Sequence, residues 1–294
     1  MKCVQTILLI VFALVVSGRA YAQTPPPSDP PAQQPVEQPA QRPAQQPAEQ
    51  SDPDIPVDAL QPDFTLVALP TTLRVPKGKS AFRVTHRFTR ALGQGDFGDL
   101  ASDLFGFDNG AQIGLEVRYG LLPGTQIGIH RTSDRTIQLF GQHNFLHERD
   151  GRPVGLDALV TLEGAENLSE RHRSAVGLIV SKSLQRAGSV YVEPIFVANA
   201  NPFETGDEHT LMIGLGTRLR LTRSAYLVAE VTPRIAGYDP GDHQVSFGLE
   251  GRAGGHSFQI NVSNGFGTTL GQLAGGGVSY DDWYIGFNIS RKFF

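Results

Sequence analysis

From residue 80 to the C-terminus one pattern recurs, in which apolar and polar side chains alternate over stretches of roughly ten residues with turn-forming residues between them. Twelve such stretches can be read: 80–90, 111–119, 125–131, 136–146, 153–163, 173–184, 189–198, 209–220, 225–234, 243–251, 256–263 and 282–294. A period of two places successive side chains on opposite faces of a strand, so each stretch has an oily face and a polar one. Phe82, Val84 and Phe88 oppose Arg83, Thr85 and Arg87. Ile113, Leu115, Val117 and Tyr119 oppose Gln112, Gly114, Glu116 and Arg118. The same holds for Leu211, Ile213, Leu215 and Leu219 against Gly214, Gly216, Arg218 and Arg220.

Two architectures use such strands. A soluble β-sandwich turns the oily face inward. A transmembrane barrel turns it outward to lipid and keeps the polar face in the lumen. Three features favour the barrel. The polar face carries large charges together with many glycines. Connections alternate short (121–124, 149–152, 187–188, 222–224) and long (91–110, 199–208, 235–242, 264–281), although 132–135 is short where a long loop is due. Finally, the chain ends on a strand. There Trp283, Ile285, Phe287 and Ile289 alternate with Tyr284, Gly286, Asn288 and Ser290, and the last residues are Phe293 and Phe294. This stretch resembles the C-terminal insertion signal of bacterial outer-membrane barrels, whose last strand closes the barrel. The apolar set leads to Phe293 and not to Phe294. Either Phe293 faces lipid and Phe294 turns inward, or a bulge near Arg291-Lys292 resets the register. No segment approaches the ~20 apolar residues of a membrane-spanning helix. The expected fold is all-β: a transmembrane antiparallel barrel of about twelve strands, an even number as in bacterial barrels.

The N-terminus has other tasks. Lys2, the apolar run Ile7 to Val16, and Ala20-Tyr21-Ala22 form a secretory signal over residues 1–22. Cys3, the only cysteine, leaves with it, so the mature chain has no disulfide and no thiolate chemistry. Lys2 and Arg19 leave too, so 23 basic side chains face 29 acidic ones, and nothing suggests a nucleic-acid partner. Residues 23–62 are rich in Pro and Gln and too poor in apolar side chains to bury a core, which predicts a disordered periplasmic linker. The linker is a spacer, with a contact to the cell wall or a periplasmic partner as the alternative. Residues 63–79, interrupted by Pro70 and Pro76, are an ordered lead-in to the first strand or a short plug. The barrel spans 80–294.

Four stretches, Phe82 to Phe88, Leu104 to Gly110, Leu139 to Gln142 and Gly254 to Ile260, resemble an uncharacterised family of bacterial outer-membrane β-barrels, a domain of unknown function. The resemblance covers residues 80–294. It implies a fold and a location and brings no activity; the partners expected of such a barrel are outer-membrane lipid and the barrel assembly machinery.

The polar face would place Arg83, Arg87, Arg118, Lys182, Arg218, Arg220, Arg234 and Arg252 in the lumen with Glu116, Asp157, Glu163, Glu193, Glu230 and Glu250. Such a set either packs the lumen as an ion-pair network or lines a selective water-filled pore. About twelve strands is intermediate between barrels filled by side chains and open porins. Asp96, Asp99, Asp103 and Asp108 share one loop, but their spacing is not that of an EF-hand. The eight histidines form no zinc motif, and no metal or cofactor is expected. His172 and Ser174 share a strand face, the one arrangement that could serve a nucleophilic serine. Gly275-Gly276-Gly277 reads as plain loop flexibility. The leading expectation is a non-enzymatic barrel, either a small porin-like channel or an envelope structural protein. A barrel-borne hydrolase for lipid or peptide, and a secreted soluble sandwich, are the alternatives.

Overall fold

A computed structural model describes residues 61–201 and 208–294, so the expected signal and nearly all of the linker lie outside the described residues. Thirteen strand segments follow in order: β1 (Ser80–Phe88), β2 (Ala111–Leu122), β3 (Thr125–Thr132), β4 (Ile137–Leu146), β5 (Gly155–Gly164), β6 (Glu170–Ser183), β7 (Gly188–Ala198), β8 (Thr210–Arg220), β9 (Ala225–Thr232), β10 (Arg234–Gly237), β11 (Gln244–Ala253), β12 (His256–Ser263) and β13 (Tyr284–Lys292). Each strand pairs antiparallel with its sequence neighbour, and β13 pairs with β1. β9 and β10 both pair with β8 and are two pieces of one strand, cut at Pro233, which has no N–H for the ladder. The result is a closed barrel of twelve antiparallel strands with no free edge, the condition for strands to cross lipid.

The oily face points out. Ile113, Leu115, Val117 and Tyr119 on β2, Ile127 and Ile129 on β3, and Phe258 and Ile260 on β12 are all exposed on the outer wall. Burying apolar area inward is what holds a soluble sandwich together, so this outward display excludes that alternative. Both chain ends of the barrel and most of the tight turns lie at one end, called here the turn end, while the short turn 133–136 between β3 and β4 lies at the other. The longer connections lie at the loop end. One of them carries α1 (Phe97–Ser102), where Asp96 and Asp99 form a capping box.

The closing strand answers the register question raised by its two final phenylalanines. The β1–β13 ladder runs without a shift from Ala81–Lys292 to Arg87–Gly286. Phe293 is exposed on the outer wall, and Phe294 turns inward to meet the Phe64 ring at 6.4 Å, edge on. Deleting Phe294 alone should therefore leave the lipid-facing anchor in place. Deleting both should lower the yield of heat-modifiable barrel clearly further, as read on gels; equal losses would contradict this register.

Candidate functional site

Polar side chains gather in the lumen, and the chain itself occupies it. Residues 61–76 run in from the turn end, form a hairpin and return to β1. Leu66 N donates to Leu69 O at 2.7 Å and Thr71 N to Phe64 O at 2.8 Å, which folds the tip at Val67-Ala68. Phe64, Leu66, Val67, Leu69, Leu73 and Val75 are buried. A buried backbone must find partners for its polar groups, and the wall supplies them. The Glu230 carboxylate accepts from three successive N–H groups, Val67 at 3.0 Å, Ala68 at 2.9 Å and Leu69 at 3.0 Å. Several N–H groups converging on one anion form the same kind of concave donor set that binds free anions. The carbonyls are held as closely. Thr65 O accepts from Arg218 at 2.6 Å, Leu66 O from Gln259 at 3.0 Å, and Val67 O from both Arg83 at 2.5 Å and Asn288 at 3.0 Å. Gln142 donates to Thr71 O at 2.8 Å. Near the turn end the hydroxyls of Thr72 and Ser181 are 2.6 Å apart, and Ser290 donates to Asp63 at 2.7 Å. Glycines on the wall make room: a Cβ on Gly216 would collide with Leu66, and one on Gly214 would lie 2.8 Å from Leu69.

The loop end is narrowed by a second element. The connection from β12 to β13 folds into the barrel and carries α2 (Leu270–Ala274), capped reciprocally by Thr269 and Gln272. Leu270 N donates to Gln138 at 2.9 Å, and Gly271 N to Glu163 at 3.1 Å. Leu270, Leu273 and Ala274 join Leu66, Val67 and Leu69 of the plug in one apolar cluster with Ile179, Ile195 and Met212 of the wall. Plug and helix thus meet inside the lumen. Between Thr65 and Ala68, Leu270, and the wall residues Glu116, Arg118 and His130, a cavity of about 30 Å³ is left, room for about one water. Gly276 follows α2 with φ +81°, and a Cβ there would collide with Arg234. The glycine run is a close-packing site against the wall, which corrects its reading as plain flexibility.

Eleven of the charges expected in the lumen are buried on the inner face: Arg83, Arg87, Glu116, Arg118, Asp157, Glu163, Glu193, Arg218, Glu230, Arg234 and Glu250. Arg218 pairs with Glu250 at 2.9 Å, Arg173 with Glu163 at 3.0 Å, and Arg118 with Glu116, while Arg83 stands 3.9 Å from Glu116. Asp157 accepts from Gln142 at 2.6 Å. Arg220 and Arg252 share the inward register near the turn end and are half-buried. Lys182 is the departure. Its neighbour Ser181 faces in, and Lys182 faces out to pair with Glu148 at 2.8 Å. Leu178-Ile179-Val180 is apolar on both faces because Ile179 packs in the lumen, so the alternation carries no phase there.

The residues that bind the plug, Gln126, Gln142, Gln259 and Asn288, show in the sequence only as polar positions in phase with the charges. Thr269-x-x-Gln272 is a capping signature for α2 that the glycine run obscured. His172 and Ser174 are both exposed on the outer side. Among the described hydrogen bonds, His172 Nε2 lies 2.8 Å from Leu168 O, and none joins it to Ser174. The acidic loop is likewise occupied otherwise: Asp103 pairs with Arg90 at 2.6 Å.

A family model described as a membrane bound beta barrel domain (DUF5777) matches residues 63–293. The chain belongs to this family. The match takes in the plug as well as the barrel. Solved structures with detectable similarity include a triple mutant of the Rhodopseudomonas blastica porin, 15% identical, with a TM-score of 0.34, covering 66% of this chain and 58% of that one. Another engineered variant of the same porin is 12% identical, with a TM-score of 0.34, covering 62% of this chain and 55% of that one. The chain thus spans little more than half the length of these porins. No curated protein sequence matches it.

Proposed function

We propose that the chain is a small outer-membrane channel held shut by its own N-terminal segment. The observation that carries this reading is the way residues 61–76 are bound. The wall meets the backbone of the hairpin with Glu230, Arg218, Arg83, Gln259 and Asn288, while the hairpin enters and leaves at one end. Twelve strands enclose a lumen wider than the eight-strand barrels that side chains alone fill, and here a separate segment occupies the difference. In this reading the turn end faces the periplasm, the linker connects the plug to that compartment, and the barrel enters the membrane through the assembly machinery.

The test uses the cysteine-free mature chain. Thr72→Cys with Ser181→Cys places two thiols where hydroxyls now lie 2.6 Å apart, close to what a disulfide requires. In planar bilayers the unmodified chain should show rare, brief openings under applied voltage. The oxidised double variant should show none, and reductant should restore them. Openings that persist in the oxidised variant would mean that the plug does not gate the lumen.

A further inference from the structure

We propose that the connection between β1 and β2 is a lipid anchor, which folds back onto the outer wall and sets Phe97, Leu104 and Phe105 among the acyl chains at the loop end. Phe97 is 72% exposed, Leu104 58% and Phe105 41%. The rings of Phe97 and Phe105 meet edge on at 6.4 Å, so they form one apolar patch. The segment that presents it is tied down. Asp96 and Asp99 cap α1 reciprocally. Asp103 pairs with Arg90 at 2.6 Å, and Arg90 also donates to Gln94 O at 2.9 Å. Leu104 and Phe105 are both held at positive φ, 47° and 58°, where bulky side chains are strained. Held in this way, they cannot turn away from water, and an ordered apolar patch marks an interaction surface.

The place of the patch selects lipid as its occupant. Phe88 ends β1 in the same outward register as Phe82 and Val84, yet it is only 5% exposed. The segment Leu104–Asn109 lies against it: a Cβ on Gly106 would stand 3.1 Å from Cβ of Phe88 and 3.2 Å from Cβ of Arg90. The connection therefore rests on the outer wall. At the turn end the exposed Phe293, whose N–H donates to Ser80 O at 3.0 Å, marks the edge of the lipid-facing surface. From Ser80 to Phe88 the strand climbs roughly 20 Å along the membrane normal, at about 3.4 Å per residue and a tilt of about 40°. The apolar band of such barrels is about 25 Å tall, so Phe88 and the segment lying on it fall within the band or at its upper edge. Lipid reaches the patch there as a continuation of the wall. The acidic groups nearby are held as groups beside hydrocarbon need to be, Asp96 and Asp99 on backbone N–H groups and Asp103 on Arg90. None of this depends on whether the lumen conducts.

Trp283 is the chain's single tryptophan, so Trp283→Phe combined with Phe105→Trp leaves one fluorescent reporter in the patch. The full mature chain is refolded into vesicles of phosphatidylcholine, plain or brominated along its acyl chains, and heat modifiability reports folding. Brominated lipid should remove most of the emission relative to plain lipid, while iodide in the water should remove little. Trp283→Phe combined with Phe97→Trp carries the same expectation should the first chain not fold, since the Phe97 side chain is largely free of packing. Strong quenching by iodide with little quenching by bromine would place the connection in water and overturn the anchor. Shielding from both quenchers would mean that protein, a second copy of the chain included, covers the patch, and would overturn it as well.

Discussion

Deleting residues 61–76 is expected to turn a barrel that opens rarely and briefly into one that conducts in steady, ohmic steps. The plug runs from the turn end into the lumen as far as Glu230, and its removal leaves only α2 to narrow the passage. The wall it uncovers is polar: Arg83, Arg218, Gln142, Gln259, Asn288 and Glu230 all lose their partners from the hairpin and become available to water. A lumen so lined wets readily, and a wetted lumen of twelve strands passes small ions. Planar-bilayer recording at several salt concentrations measures this. Absence of steps in the deleted chain, with heat modifiability intact, would refute the channel and leave a structural barrel.

The second large effect falls on Glu230. A fully buried apolar side chain contributes about 1.5–3 kcal/mol, and ordering each residue of a flexible segment costs about 1–2 kcal/mol. For a segment in which apolar positions alternate with Thr, Ala and Pro, these largely offset one another. The polar anchors then decide how tightly the plug docks. Glu230→Ala leaves three N–H groups at the tip without their acceptor, and water entering the lumen recovers part of the loss. A net cost of about 2–4 kcal/mol follows from the usual penalty for unpaired buried donors. That is a rise in open probability of between tenfold and a thousandfold, since each 1.4 kcal/mol is about a factor of ten. Glu193→Gln is the control. Glu193 sits on the same wall, fully buried, yet its carboxylate oxygens bond to none of the described residues. Its replacement should leave the openings nearly unchanged. Equal effects of the two substitutions would mean that Glu230 acts through lumen charge and not through its grip on the tip.

Strand number and the outward direction of the oily face were legible in the sequence because period-two alternation is strong wherever one face meets lipid and the other meets polar groups. It failed at Lys182 for a definite reason. Where plug and α2 bring leucines into the lumen, the wall answers with Ile179, Ile195 and Met212, and the inner face stops being polar. A strand with two apolar faces has no readable phase. The plug was legible as a short apolar segment between prolines, but its seat was not, because its affinity lies in backbone groups met by glutamine, asparagine, arginine and glutamate side chains scattered over seven strands. Backbone N–H and C=O are the same in every sequence and leave no pattern. The inserted helix was hidden for a related reason: its glycines look like flexibility unless the arginine pressed against Gly276 is known.

The hairpin route of the plug has a mechanical consequence. Its N-terminal strand starts at the turn end, where Pro62 O meets Ser257 and Asp63 lies 3.8 Å from Lys292, and its C-terminal strand returns to that end before β1 begins. A pull on residue 61 therefore loads the contacts one after another, Asp63 first, then Thr65 on Arg218, then the tip on Glu230. Forces applied this way unzip a structure at far lower load than forces that shear all of its bonds together. Nothing has to thread through the barrel, and the stopper stays leashed to β1, ready to reseat when the tension ends.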